Sequence, residues 1–255
     1  QLHNPNSSIV EKIDARDGSF LNPPGKGNPL RSFHQYENEI DIPEPMVFDL
    51  VRRLNSEKGE YEFNTLGFQT GKHRFDHYEF NPEFEYAFMD GFAGELELPL
   101  KDHEVRAYKG ALQYHFGEDR FHIHHGVQFI VENLRYENAN ELSPLYILAG
   151  RYDFHHSYLM MIGNRFQQGR ETEAKDGQLH PLINFNYFYN FSQKSNLALE
   201  VNLDGVGASF KDLLLMPQLQ ISLTRQFKLQ AGVGAQYDGN SWEPATAFRL
   251  ILESN

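Results

Sequence analysis

From Glu60 to Glu253 the chain alternates apolar and polar residues with a period of two, the pattern of β-strands whose two faces meet different surroundings. In one stretch Phe227, Leu229, Ala231, Val233, Ala235 and Tyr237 alternate with Lys228, Gln230, Gly232, Gly234 and Gln236. Phe80, Pro82, Phe84, Tyr86 and Phe88 alternate with Glu79, Asn81, Glu83, Glu85 and Ala87, and Leu197, Leu199, Val201 and Leu203 with Ala198, Glu200, Asn202 and Asp204. The pattern predicts strands near 60–68, 74–88, 92–100, 104–116, 120–134, 143–154, 157–168, 180–191, 195–204, 213–224, 226–237 and 243–253. Several of these match the roughly 9–11 residues with which a tilted strand crosses a bilayer. Soluble β-proteins more often use strands of about 5–6 residues.

The connections add an independent signal. With the N-terminus in the periplasm, the outward connections are 69–73, 101–103, 135–142, 169–179, 205–212 and 238–242, most of them long. The inward ones are short: Met89-Asp90-Gly91, Gly117-Glu118-Asp119, His155-His156-Ser157, Ser192-Gln193-Lys194 and Arg225-Gln226. Short periplasmic turns and longer external loops belong to transmembrane barrels. A soluble lipocalin-like barrel or jelly roll alternates too, but has no reason to sort its loops. Residues 60–253 thus resemble the bacterial outer-membrane β-barrel class. The resemblance implies an all-β, antiparallel transmembrane barrel of about 12 strands, lodged in the outer membrane against lipid and lipopolysaccharide. One departure is the ending Leu252-Glu253-Ser254-Asn255, where such barrels usually finish on an aromatic residue. The sequence opens at Gln1 without a Met, as a processed chain would.

Residues 1–58 read differently and form an irregular extension ahead of the barrel at 59–255. Asn22-Pro23-Pro24-Gly25-Lys26-Gly27-Asn28-Pro29 and Pro43-Glu44-Pro45 mark irregular backbone. Met46–Leu54 reads either as one short amphipathic helix or as an extra strand. The segment is expected to be a loose extension, a periplasmic element or a plug.

Composition narrows the function classes. The net charge of −12 argues against a nucleic-acid partner, which needs clustered Lys and Arg. The absence of Cys removes disulfides and thiolate metal sites. No run of 18 apolar residues exists to form a transmembrane helix. Mean hydropathy is negative, which an alternating barrel also gives.

If the aromatic side faces lipid, an acidic lumen wall follows: Glu60, Glu62, Glu79, Glu83, Glu85, Glu95 and Glu97. A basic wall would oppose it, from Lys109, Arg151, Arg165, Lys228 and Arg249, with Glu132 and Asp153 interspersed. Such walls make a transverse field that orients polar solutes, or they pair and hold a filled barrel together. His115, His122 and His124 are weak metal candidates, since residues i and i+2 on a strand share a face. Their alternative is a hydrogen-bonded lumen cluster, and His125 is expected to point outward. His155-x-Ser157 resembles the spacing of barrel-type lipid A deacylases, but on the periplasmic side. No phosphate loop, HExxH or GxSxG occurs. The reading is therefore a porin-like channel or transporter for small polar solutes, without catalytic residues or cofactor. Its alternatives are a non-catalytic subunit of an envelope complex with a protein partner, and an outer-membrane lipid hydrolase.

Overall fold

In a computed structural model the described residues are 42–48, 50–71, 78–169, 180–206 and 209–254. They fold as one closed antiparallel sheet. Its elements are β1 (Tyr61–Thr70), β2 (Tyr78–Met89), β3 (Phe92–Glu97), β4 (Leu100–Lys101), β5 (Glu104–Val105), β6 (Ala107–Glu118) and β7 (Ile123–Leu134). β8 (Ala139–Arg151), β9 (His156–Gly169), β10 (His180–Ser192), β11 (Ser195–Val206), β12 (Ser209–Ser222), β13 (Phe227–Tyr237) and β14 (Trp242–Glu253) follow.

β2 pairs with both β3 and β4, so these two are one barrel strand interrupted at Leu98-Pro99, where Pro has no amide to give the ladder. β5 and β6 are likewise one strand broken at Arg106. Twelve barrel strands result, each beside its chain neighbour. β1 closes on β14 from Glu62↔Glu253 to Thr70↔Ala245. Closure leaves no strand edge, a requirement in hydrocarbon, where no water satisfies a free backbone group.

Each of the twelve segments expected from the alternation contains a barrel strand. The loop lengths are more even than the pattern suggests. β8 begins at Ala139 and pairs with β7 up to Leu134↔Ala139, leaving a four-residue hairpin where a longer loop was expected at 135–142. β14 begins at Trp242 and shortens the connection at 238–242 in the same way. Residues 72–77 and 170–179, within the other long connections, lie outside the described residues. Three turns share one device, a leading Asp that accepts following backbone amides. Asp119 takes Phe121 (2.8 Å) and Ile123 (3.1 Å), Asp153 takes His155 (2.7 Å) and His156 (2.8 Å), and Asp238 takes Asn240 (2.9 Å) and Ser241 (2.8 Å).

The outer face is apolar and aromatic, with Leu96 70% and Val233 71% exposed and Phe63, Phe84, Leu112, Phe129 and Phe248 beside them in kind. Its sequence neighbours turn inward: Glu85 is fully buried, next to exposed Phe84. This is the lipid-facing band of a membrane barrel.

The compact unit that contains the barrel runs Ile42–Asn255. Residues 42–58 pack with the barrel. Met46–Leu54 is neither helix nor strand over its described residues, but a run of bends and a turn. Pro43 and Pro45 bias the residues before them toward extended backbone, and barrel side chains take the amides that a helix would use.

Candidate functional site

The lumen at mid-strand level is filled by residues 42–48 and 50–54. A buried segment without secondary structure must still satisfy its backbone, and five strands supply the partners. Glu200 on β11 accepts the amides of Met46 (3.0 Å), Val47 (3.1 Å) and Phe48 (2.7 Å). Gln128 on β7 accepts the Val51 amide at 3.3 Å. Gln220 on β12 donates to the Glu44 carbonyl (2.9 Å), Arg249 on β14 to Pro45 (3.1 Å) and Gln113 on β6 to Arg52 (2.5 Å). Asn184, Asn202 and Gln218 also donate to Glu200, at 3.4, 3.0 and 3.1 Å, and fix its carboxylate in place.

The segment's apolar side chains enter apolar patches of the lumen wall. Leu50 and Leu54 pack with Ile147, Leu159, Met161 and Phe188. Met46 packs with Leu66, Met216 and Ala247, and Val51 with Ala87, Ala93 and Ala111. Gly232 makes room for it: a Cβ there would lie 2.6 Å from Met46 Cε. Burying Met46, Leu50, Val51 and Leu54 contributes roughly 1.5–3 kcal/mol each.

The acidic strands are crowded with cations. Glu62, Glu83, Glu85, Glu95 and Glu97 are all buried. Arg249 bridges Glu83, Glu85 (3.4 Å) and Glu62 (3.8 Å), and donates to Asn64 Oδ1 at 3.0 Å. Lys109 pairs with Glu97 and lies 3.8 Å from Glu95. From the segment, buried Arg52 reaches Glu60 (3.3 Å), Glu62 (3.4 Å) and Glu85 (3.6 Å), while Arg53 reaches Glu60 at 2.5 Å. Arg52 and Arg53 were not among the sequence candidates, because they precede the alternating region. Their signal was two adjacent cations just ahead of an acidic strand.

An opposed basic wall does not form. Arg249 and Lys109 lie on strands adjoining the acidic ones. Arg165 pairs with Glu141 (3.2 Å) and Asp204 (2.8 Å), Lys228 with Glu253 (2.5 Å), and Glu79 with Arg106 (3.2 Å) and Lys101 (3.6 Å). Arg151 sits at the rim beside the β8–β9 turn, in register with Ser157. The reason is energetic: a charge buried without a partner costs several kcal/mol, so cations interleave with carboxylates instead of standing across a bore.

The histidines separate. His115 and His124 meet, with ring centroids 5.3 Å apart. His122 is in the turn with φ 60° and pairs with Glu118. His125 faces out, 2.8 Å from the Tyr146 hydroxyl. His155 Nδ1 contacts the Asn190 carbonyl at 2.7 Å, and the buried Ser157 hydroxyl has no hydrogen-bond partner among the described residues, so no His155–Ser157 hydrogen bond forms.

Two spaces complete the geometry. Toward the mouth with the β4–β5 and β7–β8 turns lies a chamber of about 380 Å³, lined by Glu79, Arg106, Lys109, Glu132, Glu141 and Arg165 among others. It leads to a gap of about 40 Å³ bounded by Met46, Val47, Phe48 and Arg249, space for water but not for a solute.

The chain has the closed twelve-strand fold of bacterial outer-membrane β-barrel proteins. A KdgM porin matches with TM-score 0.59 and 12% identity, over 76% of this chain and 99% of the porin. The same porin in complex with disordered oligogalacturonate gives TM-score 0.58 and 13% identity, over 76% and 98%. An outer-membrane channel from Pseudomonas putida F1 matches with TM-score 0.57 and 9% identity, over 84% of this chain and all of that one. These identities make the likeness one of fold. A family model described as HAEPLYID-like matches residues 38–116, a stretch that includes the luminal segment and the acidic strands β1–β3. No curated protein matches the chain.

Proposed function

We propose that the protein is an outer-membrane channel for small polar solutes, with a lumen closed at rest by residues 42–54. The observation that carries this reading is the charged chamber, open at one mouth and ending on Met46–Phe48. A barrel serving only as a packed scaffold has no use for a hydrated, two-signed vestibule. Carboxylates outnumber cations around the chamber, since Glu132 and Glu137 join the paired Glu79, Glu97 and Glu141 against Arg106, Lys109 and Arg165. The reading therefore includes a preference for cations. Fold neighbours that are porins and channels support it. The aromatic outer belt suits contact with lipid and lipopolysaccharide in a bacterial outer membrane. No arrangement of His155 and Ser157 favours hydrolysis.

The test is conductance in planar bilayers. The wild-type chain is expected to conduct weakly, and Glu200→Ala, which removes the acceptor of three segment amides, to conduct more. Silence from both, with folded barrels confirmed, would instead favour the closed barrel as a non-catalytic subunit of an envelope complex, a reading suggested by how deeply the segment is anchored.

A further inference from the structure

At the mouth opposite the chamber, β6 and β7 bring two imidazoles together. The register between them shifts between His115 and Gly117, so His115 lies opposite Gly126 while His124 lies opposite Glu118. The bulge sets the two rings diagonally on the inner face, with His124 Nδ1 3.3 Å from His115 Nε2. This separation lets one ring donate to the other, according to tautomer. It fits another arrangement closely. Two imidazole nitrogens at about 2.05 Å from one tetrahedral ion stand about 3.3 Å apart.

We propose that His115 and His124 bind one divalent transition-metal ion of the zinc, copper and nickel class. Imidazole suits these ions, whereas calcium and magnesium require oxygen ligands. Among the described residues no third imidazole or carboxylate lies within 4.8 Å of both nitrogens. Two imidazoles leave the remaining positions of the ion to small ligands, which makes the site exchangeable rather than structural. It borders an open groove that Asn55, Ser56, Glu57, Asp90, His115 and Phe116 line. Access from solvent to His115 is therefore direct, close to where the luminal segment ends at residue 54. A hydrogen-bond chain connects the two: the Ser56 carbonyl takes the Gly91 amide (2.9 Å), and the Gly91 carbonyl takes the His115 amide (2.8 Å). An ion on His115 thus braces the point where the segment leaves the lumen. The inference does not depend on the barrel being a channel.

The experiment is titration of the full-length, detergent-solubilised protein with cobalt(II), followed by its visible absorption and by displacement with zinc(II). One equivalent is expected to give the intense bands of a tetrahedral ion. His115→Ala and His124→Ala should each weaken binding by about tenfold or more, while His122→Ala and His125→Ala leave it unchanged. Barrel closure in each variant is checked by heat-modified gel migration. If the first two variants do not close, copper(II) electron paramagnetic resonance on the wild-type chain decides, with hyperfine coupling to two nitrogens expected. Lack of uptake, uptake indifferent to His115 and His124, loss with His122→Ala, or coupling to fewer than two nitrogens would each overturn the proposal.

Discussion

The carboxylate of Glu200 accepts the amide of Phe48 at 2.7 Å across 152 residues of sequence, and takes the two preceding amides as well. Three successive N–H groups converging on one anion form a concave backbone nest. Here the barrel supplies the anion and the segment supplies the nest. Glu200→Ala leaves one buried and two partly buried donors without an acceptor, at up to about 1–3 kcal/mol each where no water replaces it. Hydrogen exchange at Met46, Val47 and Phe48 is expected to accelerate in this variant while the strand amides stay protected. Unchanged exchange at these three positions would show that the apolar contacts alone hold the segment.

The buried ions give a second test. Arg52 meets Glu60, Glu62 and Glu85 inside the lumen. Arg52→Met should destabilise the barrel by about 3–5 kcal/mol, because it strands buried carboxylates rather than because the pairs are individually strong. Adding Glu62→Gln to Arg52→Met is expected to recover part of the loss. The readout is the temperature at which the barrel loses its heat-resistant gel migration, and additive losses would remove the argument.

Most of the barrel was legible in the sequence because lipid imposes period two on every strand. Phe84 outside forces Glu85 inside, whatever the register. The luminal segment was not legible, because its structure is written in other strands: Glu200, Gln128 and Gln220 hold residues that have no periodicity of their own. The basic wall failed for a related reason. Alternation shows that Arg249 points inward, but only the closure of β14 on β1 shows that it meets Glu62, Glu83 and Glu85. His122 left the histidine set because β7 starts at Ile123, three residues later than the alternation suggests, and the turn claims it.

The two faces also predict opposite responses on one strand, and the structure changes which residue makes the fair control. Val233→Arg places a charge on the lipid side and should cost about 2–4 kcal/mol at the bilayer midplane. Alternation alone marks Gln230→Arg as harmless. Gln230 is, however, buried and in register with Arg249, so a second guanidinium there should also destabilise. Gln236→Arg, opposite Glu243, should be close to neutral. Thermal unfolding of the three variants orders them, and tolerance of Gln230→Arg would mean that the lumen is more open at that level than it is here.

Asp238 in the β13–β14 turn carries a pH dependence. The Ser241 and Asn240 amides hold its carboxyl below the usual carboxylate range. A folded-state value below the unfolded one contributes stability above the unfolded pKa, and that contribution is lost as pH falls through the folded value. The Asn240 and Ser241 amide resonances should therefore shift on acidification below the usual Asp range near pH 4, and Asp238→Asn should abolish the shift. An identical acid response in the variant would assign the titration to another group.

Ion selectivity is the sharpest test of the chamber. Glu85 and Glu97, which alternation alone offers as pore-lining acids, are locked in ion pairs with Arg52, Arg249 and Lys109. Neutralising them would disturb packing as well as field, so they are poor probes. Glu132 and Glu141 line the chamber as well, and the partner of Glu141, Arg165, is a third exposed, so neutralising these two disturbs buried packing less. In the Glu200→Ala background, with the segment loosened, a cation-preferring reversal potential is expected across a salt gradient. Glu132→Gln with Glu141→Gln removes two carboxylates and leaves Arg106, Lys109 and Arg165 in place, so the potential should move toward anion preference. The effect should shrink at high salt, because the Debye length falls from about 10 Å at 0.1 M to about 3 Å at 1 M. A reversal potential that stays put at low salt would mean that the chamber is not on the conduction path, and the channel reading would lose the observation on which it stands.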